Sequence, residues 1–172
     1  MFKNNLLPFY LLFSVLVLNA QVLATSSAEL DEFLNQADMH IASSNYEAAR
    51  NSIDSAIKTA PASSRAYQKL AALQIIKLEY ANSIPNFQKA IGLDEKNAGA
   101  FLGLGFAYLH MGRYGPARAA LLEAETLLPA RKQEIHQVVI WLDKRSGMSE
   151  PQESTYLSIP EAVKAVAEHS KK

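Results

Sequence analysis

The 172-residue chain contains no cysteine. No disulfide therefore holds the fold, and no thioether-linked lipid can anchor it. Neither sign of charge is in surplus. Seventeen Lys and Arg balance seventeen Asp and Glu, which leaves no global field to hold nucleic acid or steer an anionic substrate. Seven Gly and seven Pro are too few for a disordered or collagen-like chain. The signatures of catalysis are missing as well. The four histidines, His40, His110, His136 and His169, form no HExxH pair. His136 follows Glu134 by two positions, so on a helix the two would point apart. Gly103 and Gly105 fall inside a helical pattern rather than a phosphate loop, and no serine sits in a nucleophile elbow. Nothing here calls for a metal, a cofactor or an active site. With 49% hydrophobic and 20% charged residues, the composition is that of a soluble globular domain.

Long apolar runs are also scarce, and the exception is at the N-terminus. Lys3 is the only charge before Thr25, and Leu6 to Leu18 is almost wholly apolar. A small residue at a plausible cut site, Ala24, precedes the polar stretch TSSAELDE. This pattern reads as a secretory signal peptide over 1–24. The run is short for a membrane span of about 20 residues. If it stayed uncut, Ala20 to Ala24 would lengthen it into an anchor, the one membrane contact expected. Cleavage would release a periplasmic or secreted protein beginning near Thr25, long enough to bury about two thirds of its unfolded surface.

What the chain does contain is an internal period. Tyr46, Tyr80 and Tyr114 recur at one fixed interval, and Ala56, Ala90 and Ala124 recur at the same one. Phe33, Tyr67 and Phe101 form an aromatic column in step with them. Small columns run through Ala37, Ala71 and Gly105 and through Ala49, Ser83 and Ala117. Ile53, Phe87 and Leu121 form a large apolar one. Each copy reads as two helices. In the third, Phe101, Leu104, Gly105 and Tyr108 follow i, i+3, i+4, i+7, one helical face. Gly112 ends that helix, Pro116 opens the next and Pro129 stops it. Pro85 should distort the start of its helix slightly. The first copy is the weakest, because Gln36 and His40 fill columns expected to be apolar. Small residues opposite large ones let two helices approach closely, so the code is one of packing rather than chemistry.

These columns resemble the tetratricopeptide repeat, whose period of about 34 residues they share. The third copy matches best, through Phe101, Leu104, Gly105, Tyr108, Gly112, Tyr114, Ala117, Leu121, Ala124 and Pro129. Gln74, Ser83 and Glu95 depart from the pattern in the second. The resemblance implies an all-α fold, a short right-handed superhelical array of three helix pairs at about 30–63, 64–97 and 98–131. Ile135, Val138, Val139 and Leu142 form the face of a capping helix over 132–147, which would cover the last apolar surface of such an array. A linker and a short, weakly apolar helix are expected over 148–172.

The resemblance also implies a concave groove lined by the first helix of each pair. By helical phase, Leu34 and Asp38, Gln68 and Ala72, and Leu102 and Phe106 point into it, with Arg65, Ile76 and His110 at its border. Some relatives grip a peptide's C-terminal carboxylate with Lys and Asn at these columns. Here Asp38, Ala72 and Phe106 stand at the Asn column, so that clamp is not expected. The groove is mostly apolar and suits a protein or peptide partner, unless the chain's own C-terminal helix covers it. Ile140 and Trp141 widen the apolar surface of the capping helix, which the C-terminal tail would cover unless the pair is instead a second docking candidate or a contact between copies. The function expected is a non-catalytic scaffold or adaptor in the bacterial cell envelope. The alternatives are an oligomerising structural subunit and an accessory factor for cell-wall polymer processing.

Overall fold

The computed structural model describes residues 26–147. The signal segment expected over 1–24 and the linker and helix expected over 148–172 lie outside the described residues. Within them the chain is all-α, with seven α-helices and no strand. The helices divide into two compact units, parted between Pro61 and Ala62.

The first unit holds α1 (26–42) and α2 (Tyr46–Thr59). Asn45 caps α2, its side chain accepting from the Ala48 N–H at 3.2 Å. Ala49, Ile53 and Ala56 bury one face of α2 at i, i+4, i+7. On α1 the buried pair is Leu34 and Ala37, while Phe33 is only half-buried.

The second unit runs α3 (Ser64–Ile76), α4 (Tyr80–Leu93), α5 (Ala98–His110), α6 (Tyr114–Leu127), a 3₁₀ turn (Pro129–Arg131) and α7 (Lys132–Ser146). Each helix packs on the next in order, and α3 also reaches α5. The buried set follows the repeat columns: Tyr67, Leu70 and Ala71 on α3, Phe87 and Ala90 on α4, Phe101 and Leu104 on α5. Gly103 and Gly105 are the close-approach points of α5. A Cβ at Gly103 would penetrate the ring of Phe87, and one at Gly105 would come within 2.8 Å of Leu121 Cγ. Pro85 sits inside α4, where it offers no N–H to the carbonyl four positions back, yet the helix runs unbroken from Tyr80 to Leu93. Ser83 is buried in its small column, and its hydroxyl donates back to the Tyr80 carbonyl at 2.8 Å. On α7, Ile135, Val139 and Leu142 are buried, and Arg118 of α6 holds Asp143 at 2.6 Å.

The three turns within helix pairs share one geometry. Ser44, Leu78 and Gly112, each one period from the next, take positive φ of 58°, 61° and 69°. The following N–H then donates five positions back: Asn45 to His40, Glu79 to Gln74 and Arg113 to Tyr108, each at 2.8 Å. This is the closing bond of a Schellman turn, and it satisfies a carbonyl orphaned at the helix end. Only Gly112 suits the left-handed conformation, which costs an ordinary L-residue about 1–2 kcal/mol. Leu78→Gly should therefore raise stability by about 0.5–1 kcal/mol, net of the extra entropy glycine brings to the unfolded chain. Gly112→Ala should lower it by a similar amount. Urea midpoints of the two variants, moving in opposite directions, check this.

Candidate functional site

The candidate residues of the second unit form two stripes. Arg65, Gln68, Ala72 and Ile76 follow one another at steps of three and four on α3. Leu102, Phe106 and His110 do so at steps of four on α5. The helices meet closely at one point along these stripes, where the Gln68 amide fills the space a side chain at Gly99 would need. Ala72 and Leu102 are half-buried, whereas Ile76 and Phe106 are 42% and 41% exposed. Arg65 is exposed and has interactions of its own.

The best-defined part of this face is aromatic. The His110 ring stacks on Tyr80 with centroids 4.5 Å apart and planes 10° from parallel. Phe106 lies against both members of the stack, 4.3 Å from His110 and 6.3 Å from Tyr80. Tyr80 is the first residue of α4, so two elements hold the three rings in place. A helix-borne cluster of this kind presents a large apolar area without having to be ordered on binding. Close by in sequence, Lys77 pairs with Glu79 at 2.8 Å.

Tyr80 is the residue that helical phase did not single out. Its column, Tyr46–Tyr80–Tyr114, recurs without substitution and begins the second helix of each pair. In the second unit each such tyrosine reaches forward to the next helix pair or cap. Tyr80 meets Phe106 and His110 of α5, and Tyr114 meets Trp141 and Arg145 of α7. The signal was present as position: an aromatic residue at a helix start, beside a turn, is not needed for the helix itself.

In the first unit the expectation for Leu34 is corrected. Leu34 is 1% exposed and belongs to the core. Gln36 stands at the column that Leu70 and Leu104 fill in the other copies, and the buried side chains of α1 are Leu34 and Ala37, so Leu34 offers no surface to a ligand. Asp38 is exposed and has a partner of its own. On α7, Ile140 is half-buried and Trp141 is 48% exposed. Tyr114 meets Trp141 edge-on, with centroids 6.3 Å apart. The Arg145 Nε donates to the Tyr114 hydroxyl at 3.1 Å, and this bond raises the guanidinium pKa above its ordinary value. His136 lies with Nδ1 3.2 Å from Glu125 of α6, which also draws Lys132 to 3.9 Å. Among the described residues, no three His, Cys, Asp or Glu side chains are grouped to hold a metal ion. No helix among them is long and apolar enough to cross a membrane.

Comparison with known protein families finds no match, and comparison with curated proteins finds none either. Solved structures do match. The TPR2B domain of yeast Sti1, in a pHsp70 complex, aligns with a TM-score of 0.64 at 21% identity, over 69% of this chain and 98% of that one. The type III secretion translocator chaperone SycD of Yersinia enterocolitica aligns at 0.65 and 18%, over 71% and 88%. The first TPR of Spaghetti (RPAP3), bound to the HSP90 peptide SRMEEVD, aligns at 0.66 and 12%, over 70% and 95%.

The chain has a tetratricopeptide-repeat fold. In TPR terms, α3–α4 and α5–α6 are helix pairs, and the candidate face lies on the first helix of each. Ile140 stands one period after Phe106, and Lys144 one period after His110, so α7 continues both columns of that face.

Proposed function

We propose that this protein is a non-catalytic interaction scaffold that takes an apolar peptide or helix on the α3–α5 face. The observation that carries the reading is the cluster of Tyr80, Phe106 and His110, whose rings meet at the surface between α4 and α5. Proteins of the same fold support it, since the TPR2B domain of Sti1 forms a complex with pHsp70 and the first TPR of Spaghetti binds an HSP90 peptide. The peptide in the latter case is acidic at its end. The present face has Ala72 and Phe106 where a carboxylate clamp would place polar donors, so its occupant should engage through apolar anchors at helical spacing instead. The N-terminal pattern of Lys3, an apolar stretch and Ala24 supports a working place in the periplasm or outside a bacterial cell, in an envelope assembly.

Buried aromatic anchors dominate interface energies, and truncating one typically costs about 2 kcal/mol or more. Leu102→Ala combined with Phe106→Ala should therefore weaken partner capture from native envelope extracts by about 30-fold or more. The helical circular dichroism should stay that of the parent, because neither side chain is fully buried. Undiminished capture by the double variant would sink the proposal.

A further inference from the structure

One stripe of α7 stands at columns that the fold buries earlier in the second unit. Trp141 lies one period after Ala107 and two after Leu73, and Val138 lies one and two after Leu104 and Leu70. Those four earlier residues are buried, whereas Val138 is half-buried and Trp141 is 48% exposed. The sequence one period on from α6 does not repeat its packing columns. Met148, Pro151, Thr155 and Ser158 stand where α6 has Tyr114, Ala117, Leu121 and Ala124. α7 therefore presents to solvent a stripe of the kind that the array otherwise covers.

The stripe is self-complementary. Glu134, Val138, Trp141 and Arg145 follow one another at steps of four, three and four, which brings them within about 60° of one another around the helix. The acid stands near the start of α7 and the guanidinium near its end, about 16 Å apart along the axis, with the two apolar residues between them. A second α7 laid antiparallel, about a two-fold axis between Val138 and Trp141, meets it in register. Glu134 of each copy then faces Arg145 of the other, and Val138 of each faces Trp141 of the other. A parallel pairing would set Glu134 against Glu134 and Arg145 against Arg145, so charge selects the antiparallel one.

Both charges already have local partners and can keep them. Glu134 holds Arg131 at 3.0 Å in an exposed pair, and the Arg145 bond to the Tyr114 hydroxyl uses a single one of its N–H donors. Trp141 is positioned before any association, with Tyr114 edge-on to its ring and the Arg145 guanidinium 5.7 Å away. Ile140 and Lys144, which continue the α3–α5 face, lie about 90–130° round α7 from this stripe.

We propose that two copies of this protein associate through α7, antiparallel about a two-fold axis. Trp141 of each is seated on Val138 of the other, and reciprocal Glu134–Arg145 pairs set the register. The α3–α5 face stays open to partners. The tryptophan supplies most of the affinity, because aromatic anchors dominate interfaces and rim charges fix orientation more than strength. One helix face is smaller than the roughly 800 Å² per partner of a standard interface, so the dimer should be weak, with a Kd of order micromolar.

Sedimentation velocity of the full chain, from about 1 to about 500 μM to bracket such a Kd, should show a monomer–dimer equilibrium. Trp141→Ala should weaken it about tenfold or more. Glu134→Arg and Arg145→Glu should each weaken it as well, since either change sets like charges against each other in both pairs. An equimolar mixture of these two variants should associate as strongly as the parent, because every reversed side chain then meets an opposite charge. All three positions are exposed, so circular dichroism should show the helix content of the parent in each variant. A parent that stays monomeric throughout overturns the proposal and leaves the stripe to another occupant, either the rest of this chain or a different protein. Association that Trp141→Ala does not weaken overturns it too. So does a mixture that associates no better than its two components alone.

Discussion

Phe87→Ala should destabilise the second unit by about 3–5 kcal/mol, the range for truncating a fully buried phenylalanine. The ring is 2% exposed on α4 and lies directly over Gly103 of α5. Removing it leaves a cavity bounded by a glycine, which has no side chain to relax into the space. The converse change tests the same contact. Ala is the better helix former by about 1 kcal/mol, so Gly103→Ala would stabilise an isolated helix. Here its Cβ would penetrate the Phe87 ring, and overpacking of this kind costs about 1–3 kcal/mol. The clash should win, leaving Gly103→Ala destabilised. Gly105→Ala should also destabilise but by less, because its Cβ would meet Leu121 Cγ and Cδ2 at 2.8 and 2.9 Å and the Ala117 carbonyl at 3.3 Å, farther off than the Phe87 ring is from Gly103. Urea unfolding followed by far-ultraviolet circular dichroism gives all three values. Phe87→Leu should partly rescue Gly103→Ala, since contacting residues couple by about 0.5–3 kcal/mol. Strict additivity of the pair would show that ring and glycine do not determine each other.

Asn97→Ala should cost about 1–2 kcal/mol, combining the loss of a helix cap with the loss of a buried side-chain bond to Ser64. Asn97 is 9% exposed, and its Oδ1 accepts from the Ala100 N–H at 2.9 Å, capping α5. Its Nδ2 donates to the Ser64 hydroxyl at 2.7 Å, and Ser64 donates in turn to the Ala90 carbonyl at 2.7 Å. One amide thus links the starts of α3 and α5 to the last turn of α4. Asn97→Asp keeps the capping oxygen and loses the donor, so it should cost less than the alanine variant. In a double-mutant cycle with Ser64→Ala, the two losses should overlap rather than add. A cost below about 0.5 kcal/mol for Asn97→Ala, the level of an ordinary surface change, would mean that the network is not structural.

Much of the fold was legible because its packing code is local. A large residue facing a small one at helical spacing leaves columns such as Ile53–Phe87–Leu121 and Ala56–Ala90–Ala124, and every member of both is buried. Gly112 and Pro129 were readable as helix ends for the same reason, since each is suited by its own backbone chemistry to the place it holds. The stripe of Leu102, Phe106 and His110 followed from helical phase once the resemblance had assigned the groove to the first helix of each pair.

Other features depend on contacts that no residue type announces. The turns at Ser44 and Leu78 copy the one at Gly112, although neither Ser nor Leu favours positive φ. There the bond closing back across the turn and the docking of paired helices outweigh local preference. Leu34 is a core residue although helical phase put it on the open side of α1, with polar Gln36 at the column that Leu70 and Leu104 fill elsewhere. Tyr80 looks in the sequence like one more member of a packing column. Its ring lies on His110 at the far end of the next helix, and that stack exists only because α4 and α5 pack side by side. The sequence by itself determined the period, the helix faces and the small residues that let helices approach. Which aromatic rings stay at the surface, and which meet there, was decided by the tertiary structure, because that depends on distances between helices and not on spacing along one.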